Sequence, residues 1–464
     1  MSGDRYTPQS GDAGIGIDHY DLTLDYKAST NRLTGTAVMR GRAAAAISTV
    51  SLDLVGLRAS KVLVDGRRAP AFHQSNRRLH VTLPAPLAEG DAFALTVVYG
   101  GSPRPRRSRW GTIGWEELED GALVAAQPTG APTWFPCNDV PSDKATYALT
   151  ITADAAYTVV ASGIRVGRSS VRGGTSTWRF EQGIPTPTYL MTVNLGRYVE
   201  ETVALDDRVG RLFYPTPLAD RVHADFADLG AMMALFQKRF GPYPLSEYTI
   251  VVTADDLEIP LEAQGIGVFG ASHIDGVGGL ERLIAHELAH QWFGNSVGVA
   301  AWSDIWLNEG FACYAEWLWS EHSGAATAHR RALDHHARLD ALPQDLLLSD
   351  PGPDLMFDDR VYKRGALALH ALRLTAGDVA FFALLRAWTA EHASGTATTA
   401  EFVAMAEAMS PVPVSSLMQA WLDELPLPAL PRAGRAGRAV ARAVRAVAAP
   451  SGSRSGSPLG SSQR

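Results

Sequence analysis

Residues 283–295 read Leu-Ile-Ala-His-Glu-Leu-Ala-His-Gln-Trp-Phe-Gly-Asn, and residues 302–312 read Trp-Ser-Asp-Ile-Trp-Leu-Asn-Glu-Gly-Phe-Ala. His286 and His290 are four apart. On a helix they stand on one face, one turn apart, so both imidazoles reach a single metal ion. Leu283, Ile284, Leu288, Trp292 and Phe293 supply the apolar surface of a buried helix, and Gly294-Asn295 is a stop signal. A second helix is predicted to start near Asp304, read as its N-cap, and to continue through Tyr314, Trp317 and Leu318. It carries Glu309, after a gap of eighteen residues from His290. Two imidazoles and one carboxylate leave a fourth position open, the pattern of catalytic rather than structural zinc, with one ion per chain. Glu287, beside the first histidine, is placed to take a proton from a water on that metal.

The 464 residues suggest two to four domains. With 46% hydrophobic and 20% charged residues, the chain has the composition of a soluble protein with a sizeable core. Net charge is −7; residues 432–464 hold seven arginines and no acid, so the preceding chain sums to −14. An acidic body gives no support for nucleic-acid binding. Two cysteines, Cys137 and Cys313, form no disulfide framework and are expected to be buried thiols. No apolar stretch approaches a membrane span, and residues 1–14 are polar and Gly-rich without a leader-like apolar run. A cytoplasmic location is the resulting expectation. Oligomeric state is not set by any feature of the sequence.

From about Tyr20 to Tyr198 the apolar period is two: Tyr20, Leu22, Leu24 and Tyr26 alternate with polar residues, as do Leu79, Val81 and Leu83. Val62-Leu63-Val64 runs into Asp65-Gly66, a hairpin turn. This region reads as antiparallel sheet. Near residue 220 the period changes. Helices are expected over residues 224–240, 326–341, 361–376, 379–392, 399–409 and 414–422, with a strand at 248–252. The fold class is α+β, with a β-sheet domain first and a mainly helical domain second. After Leu425 the chain turns Pro-rich, then Arg/Ala/Gly, then Ser/Gly, which reads as a disordered tail.

His286 to Asn295 followed by Trp302 to Ala312 resembles the zinc aminopeptidases of the aminopeptidase N family, a branch of the thermolysin-like gluzincins. Trp134-Phe135-Pro136-Cys137-Asn138-Asp139 and Lys144-Ala145-Thr146-Tyr147 resemble that family's N-terminal domain. The resemblance spans roughly residues 15 to 430. It implies a flexible N-terminus (1–14), a saddle-like β domain (15–203), a thermolysin-like zinc domain (204–430) and a basic Ser/Gly tail (431–464). It implies hydrolysis of N-terminal residues from peptides with free amino ends, by water activated on zinc with Glu287 as general base. The family's large members add a C-terminal helical domain that has no counterpart here, so a more open cleft is expected.

The resemblance also assigns roles residue by residue. Tyr362, in Tyr362-Lys363-Arg364-Gly365-Ala366, matches the tyrosine that steadies the tetrahedral oxyanion, although the family has lysine where Arg364 stands. An aminopeptidase needs a carboxylate that pairs with the substrate ammonium. Glu262, 24 positions before His286, matches it within Ile259-Pro260-Leu261-Glu262-Ala263, a degraded form of Gly-x-Met-Glu-Asn. Glu258 is the other candidate, and Gln127 resembles a glutamine near the first-residue pocket. Metal-bound imidazoles need a partner on their second nitrogen. Glu316, seven residues after Glu309 on the same helical face, and Asp304 are the candidates. The zinc core alone also allows an endopeptidase or a non-catalytic scaffold.

Overall fold

The structure, a computed structural model, describes residues 4–169, 171 and 173–432. Alternating apolar residues build the first half. Tyr20, Leu22, Leu24 and Tyr26 all face inward from the strand Ile15–Lys27. That strand pairs antiparallel with Arg32–Ala43, which leads on to Ala92–Gly101 and Arg58–Val64. Its other neighbour, Lys144–Asp154, runs parallel to it, with Tyr20 opposite Tyr147. This one parallel pairing departs from the antiparallel pattern expected of the region, which the sheet's other pairings follow. The connection between these two strands is long enough to cross over, and the pairing lets the two tyrosine rings stack at 5.0 Å. Thr175–Pro187 and Ile164–Arg168 complete eight strands with the short Arg67–Arg68. Asp65 and Gly66 both take positive φ, 49° and 76°, as a two-residue hairpin requires. A three-stranded and a five-stranded sheet close the same core.

The second half starts with a five-stranded sheet in the order Tyr198–Leu205, Arg208–Pro215, Glu247–Val252, Ile266–Phe269, Leu261–Ala263. A boundary at 203/204 would cut the first hairpin of this sheet, whose strands pair from Tyr198 to Pro215. The tight turn at Asp206-Asp207 makes the two strands one unit, so the sheet belongs to the second domain from Tyr198 on. The helix expected over 224–240 is two, Ala219–Asp225 and Leu229–Phe240. At the break, Asp225 accepts hydrogen bonds at 3.0 Å from the amides of Gly276 and Gly278, in the loop that leads into the His286 helix. The remaining helices are Glu281–Ala289, Trp306–His322, Ala328–Asp340, Asp359–Ala376, Asp378–Glu391, Thr399–Met409 and Ser415–Asp423. None of the described helices is long and apolar enough to cross a membrane. Cys137 and Cys313 are buried free thiols, and Trp292, Trp302 and Trp306 are core residues.

Residues 4–14 pack against both domains, in place of the flexible N-terminus expected over 1–14. Asp4 accepts from the amides of Tyr6 at 2.8 Å and of Trp302, in the second domain, at 2.7 Å. The Tyr6 hydroxyl bonds Asp350 and accepts from the Gly352 amide. Gly11 donates to Asp53 at 2.6 Å in the first domain. The polar side chains satisfy loop amides of both domains, so their polarity marks pairing rather than disorder. The predicted tail lies outside the described residues from 433 onward.

Candidate metal centre and cleft

His286 and His290 project from the helix Glu281–Ala289 and its C-cap, and Glu309 from the first turn of Trp306–His322. Glu309 Oε2 lies 3.6 Å from His286 Nε2 and 3.5 Å from His290 Nε2. Ligands about 2.1 Å from a tetrahedral zinc stand about 3.4 Å from one another, so these separations fit the edges of one coordination tetrahedron. The second ring nitrogens are accounted for. His286 Nδ1 meets Glu316 Oε1 at 2.8 Å, and His290 Nδ1 meets the Phe293 carbonyl at 3.0 Å. Both partners only accept, so each Nδ1 carries a proton and Nε2 is the nitrogen turned to the shared point.

The charges at this point also call for a cation. Glu262, Glu287, Glu309 and Glu316 converge on two histidines, and ligand atoms of Glu262, Glu287 and His290 lie within 4.8 Å of one another. Burial pulls both imidazoles down, but the surrounding carboxylates outweigh it and raise His286 to about 9 and His290 to about 10. Burial would raise Glu316, yet its hydrogen bond to His286 holds it at about 2. Burial pushes Glu287 up to about 7, against the pull of the two histidines. Its Oε2 is buried and has no protein hydrogen-bond partner. The donor set, the spacing and this orphaned oxygen together fit zinc with a reacting water beside it.

Of the two candidates for orienting a histidine, Glu316 does so and Asp304 does not. Asp304 accepts from the Thr399 amide at 3.0 Å and its hydroxyl at 2.6 Å, at the start of the helix Thr399–Met409. Nor does it cap the Glu309 helix. A 3₁₀ turn, Trp302–Asp304, runs straight into that helix, and the amides of Asn308 and Glu309 bond the Ile305 carbonyl instead. The missing cap frees Asp304 for its neighbour.

Tyr362 sits in the first turn of Asp359–Ala376, with Asp358 as N-cap, and its ring stacks on His286 at 6.0 Å between centroids. Burial and the nearby carboxylates of Glu309, Glu262 and Glu287 raise its phenol well above the ordinary value, so it is a neutral hydrogen-bond donor. Two glycines bring it there. A Cβ on Gly310 would lie 2.8 Å from Gly365 Cα, and one on Gly365 2.7 Å from Gly310 Cα, so the two helices touch backbone to backbone. Gly365→Ala is therefore expected to cost about 1–3 kcal/mol by overpacking. A thermal melt checks it, and an unchanged midpoint would show that this crossing has slack.

Glu262 lies in the edge strand Leu261–Ala263, paired with Ile266–Phe269. Its Oε1 accepts from Gln127 Nε2 at 2.5 Å, across the domain boundary. Glu258 is exposed and stands outside the carboxylate group around the histidines. Sequence reading missed Gln291 and Asn295. The Gln291 amide bonds Gly265 N and the Ala263 carbonyl, and Asn295 Nδ2 donates to the same carbonyl at 2.8 Å. They tie the His290 end of the helix to the strand of Glu262. Two amides flanking an aromatic pair in a buried stretch were the available signal. Gly294, read as a stop, has φ 112°, and a Cβ there would press on Asn308 and on His290 Nδ1 at 3.2–3.3 Å.

A model of the peptidase family M1 domain matches residues 226–421, and one of the peptidase M1 N-terminal domain matches residues 17–190. A solved M1 zinc metallopeptidase of Deinococcus radiodurans, a mutant bound to a Tyr-Ser-Ala substrate, superposes with a TM-score of 0.86. It is 31% identical, with 93% of this chain and 99% of that one covered. This chain belongs to peptidase family M1. Aminopeptidase 2, mitochondrial, of Saccharomyces cerevisiae is 26% identical over 449 residues, which are 89% of this chain and 46% of the relative. Endoplasmic reticulum aminopeptidase 1 of Homo sapiens is 26% identical over 394 residues, 76% of this chain and 41% of the relative. The chain thus spans about half or less of the length of these curated relatives.

Proposed function

We propose that this protein is a zinc-dependent aminopeptidase that removes N-terminal residues from peptides with free amino ends. The observation that carries the reading is Glu262: a carboxylate that is not needed as a ligand, held by Gln127 within reach of the His290 and Glu287 side chains. A substrate ammonium paired there has its first peptide bond over the metal centre, and a blocked end loses that pairing.

His286, His290 and Glu309 would hold the zinc, which polarises the scissile carbonyl and makes a water acidic enough to deprotonate near neutrality. Glu287 takes the proton from the attacking water and returns it to the departing amine. The Tyr362 hydroxyl donates to the oxygen that becomes negative in the tetrahedral state. Glu316 keeps His286 in the tautomer that presents Nε2, and Gln127 holds the Glu262 carboxylate in place.

The test is a panel of amino-acid arylamides, each unblocked and N-acetylated, with metal analysis of the purified protein. Hydrolysis confined to the unblocked series and one zinc per chain are expected. Equal rates on both series would make it an endopeptidase, and intact zinc without turnover would make it a scaffold.

A further inference from the structure

Lys144, in the Lys144-Ala145-Thr146-Tyr147 stretch, has no part in the chemistry above. It opens the strand Lys144–Asp154 of the first domain, and its stem crosses to the loop that follows the His290 helix. There Nζ donates to the Ser296 carbonyl at 2.8 Å and the Asn295 carbonyl at 3.2 Å. A Cβ on Gly298 would lie 3.0 Å from its Cε, so the ammonium is packed closely from that side. No carboxylate of the described residues compensates its charge, and burial alone pulls the group down to about 7. A half-buried ammonium without a carboxylate partner weakens a fold, and a methionine would fill the same channel without that cost. A costly group kept at such a place points to a functional task.

The loop it grips leads directly to the site. Asn295 N donates to the His290 carbonyl at 3.0 Å, and Asn295 Nδ2 to the Ala263 carbonyl at 2.8 Å. Gln291 holds Ala263 and Gly265 in the same network. On the far side of that segment, Gln264 N donates to the Leu190 carbonyl of the first domain at 3.0 Å. The metal-ligating helix and the strand of Glu262 are thus clamped together; Leu190 and Gln127 of the first domain hold the strand side, and Lys144 holds the helix side.

We infer that Lys144 is a positioning residue that sets the separation between the metal-ligating helix and Glu262, and so the placement of a substrate's amine relative to its scissile carbonyl. The inference rests on Glu262 being the amine anchor.

The test is a double-mutant cycle in the full-length zinc-loaded protein, crossing Lys144→Met with Glu262→Gln, read as kcat and KM on an unblocked arylamide. Lys144→Met is expected to melt no lower than the wild type and to keep one zinc per chain. It is nonetheless expected to lose about tenfold to a hundredfold in kcat/KM, the cost of misplacing a bound substrate. In the Glu262→Gln background the same change is expected to cost less than about twofold, because the two residues act through one interaction. If Lys144→Met does not fold, Lys144→Gln carries the same cycle. A Lys144 variant within about twofold of wild type overturns the inference, as does an equal loss in both backgrounds. If Glu262→Gln is itself neutral, the amine-anchor reading fails and the inference falls with it. If Glu262→Gln is impaired while Lys144→Met is not, only the inference fails.

Discussion

Glu287→Gln is expected to lower kcat by about a hundredfold to ten-thousandfold, the range associated with loss of a general acid–base group. Zinc content, KM and thermal midpoint should stay near the wild-type values. The side chain is buried beside His286 and is not one of the three proposed ligands, His286, His290 and Glu309. The amide keeps its volume but can neither take a proton from water nor return one to the leaving amine. Because both transfers pass through one group, kcat rather than KM should carry the loss. Retention of zinc separates this outcome from simple collapse of the centre. A variant that keeps more than about a tenth of wild-type turnover would show that another base serves the reaction.

Glu262→Ala is expected to cost about 2–5 kcal/mol of transition-state stabilisation on unblocked substrates, since it leaves a buried ammonium without its partner. That is roughly a thirtyfold to several-thousandfold loss in kcat/KM. Removing the carboxylate also strands Gln127 Nε2, which donates to it. Residual hydrolysis of an N-acetylated arylamide should not change, because no ammonium is present to be paired. Glu258→Ala is the control. Glu258 is exposed and apart from the carboxylate cluster, so its loss should alter kcat/KM by less than about twofold. A larger loss at Glu258 than at Glu262 would move the amine anchor to the preceding loop.

The strand of Glu262 forms regularly although its surroundings differ from the family motif. Ile259, Leu261 and Ala263 depart from the family pattern, yet Glu262 lies opposite Gly267 in a regular edge strand. Pro260 falls just before that strand and costs it no ladder hydrogen bond. The strand is held from behind, by Gln291 and Asn295, rather than by its own sequence. Asp304 shows the reverse. Its position before a helix suited an N-cap, but Ile305 takes that place and the Asp304 carboxylate bonds the amide and hydroxyl of Thr399 instead.

What the chain determined by itself are the features that short-range periodicity controls. The spacing of His286 and His290, the offset of Glu309 from Glu316 and the alternation from Tyr20 to Tyr26 each follow from one helix turn or one strand pleat. They are visible because the partners lie within a few residues of one another. Tertiary structure alone decided what depends on contacts between distant segments. The parallel pairing of Ile15–Lys27 with Lys144–Asp154, the Gly310–Gly365 crossing that sets Tyr362 beside His286, and the anchoring of residues 4–14 are of this kind. So is the centre's link to Lys144 through Asn295. The His-Glu-x-x-His stretch supplies two of the proposed metal ligands by its spacing alone; only the fold brings Glu309 and Glu262 to the same point.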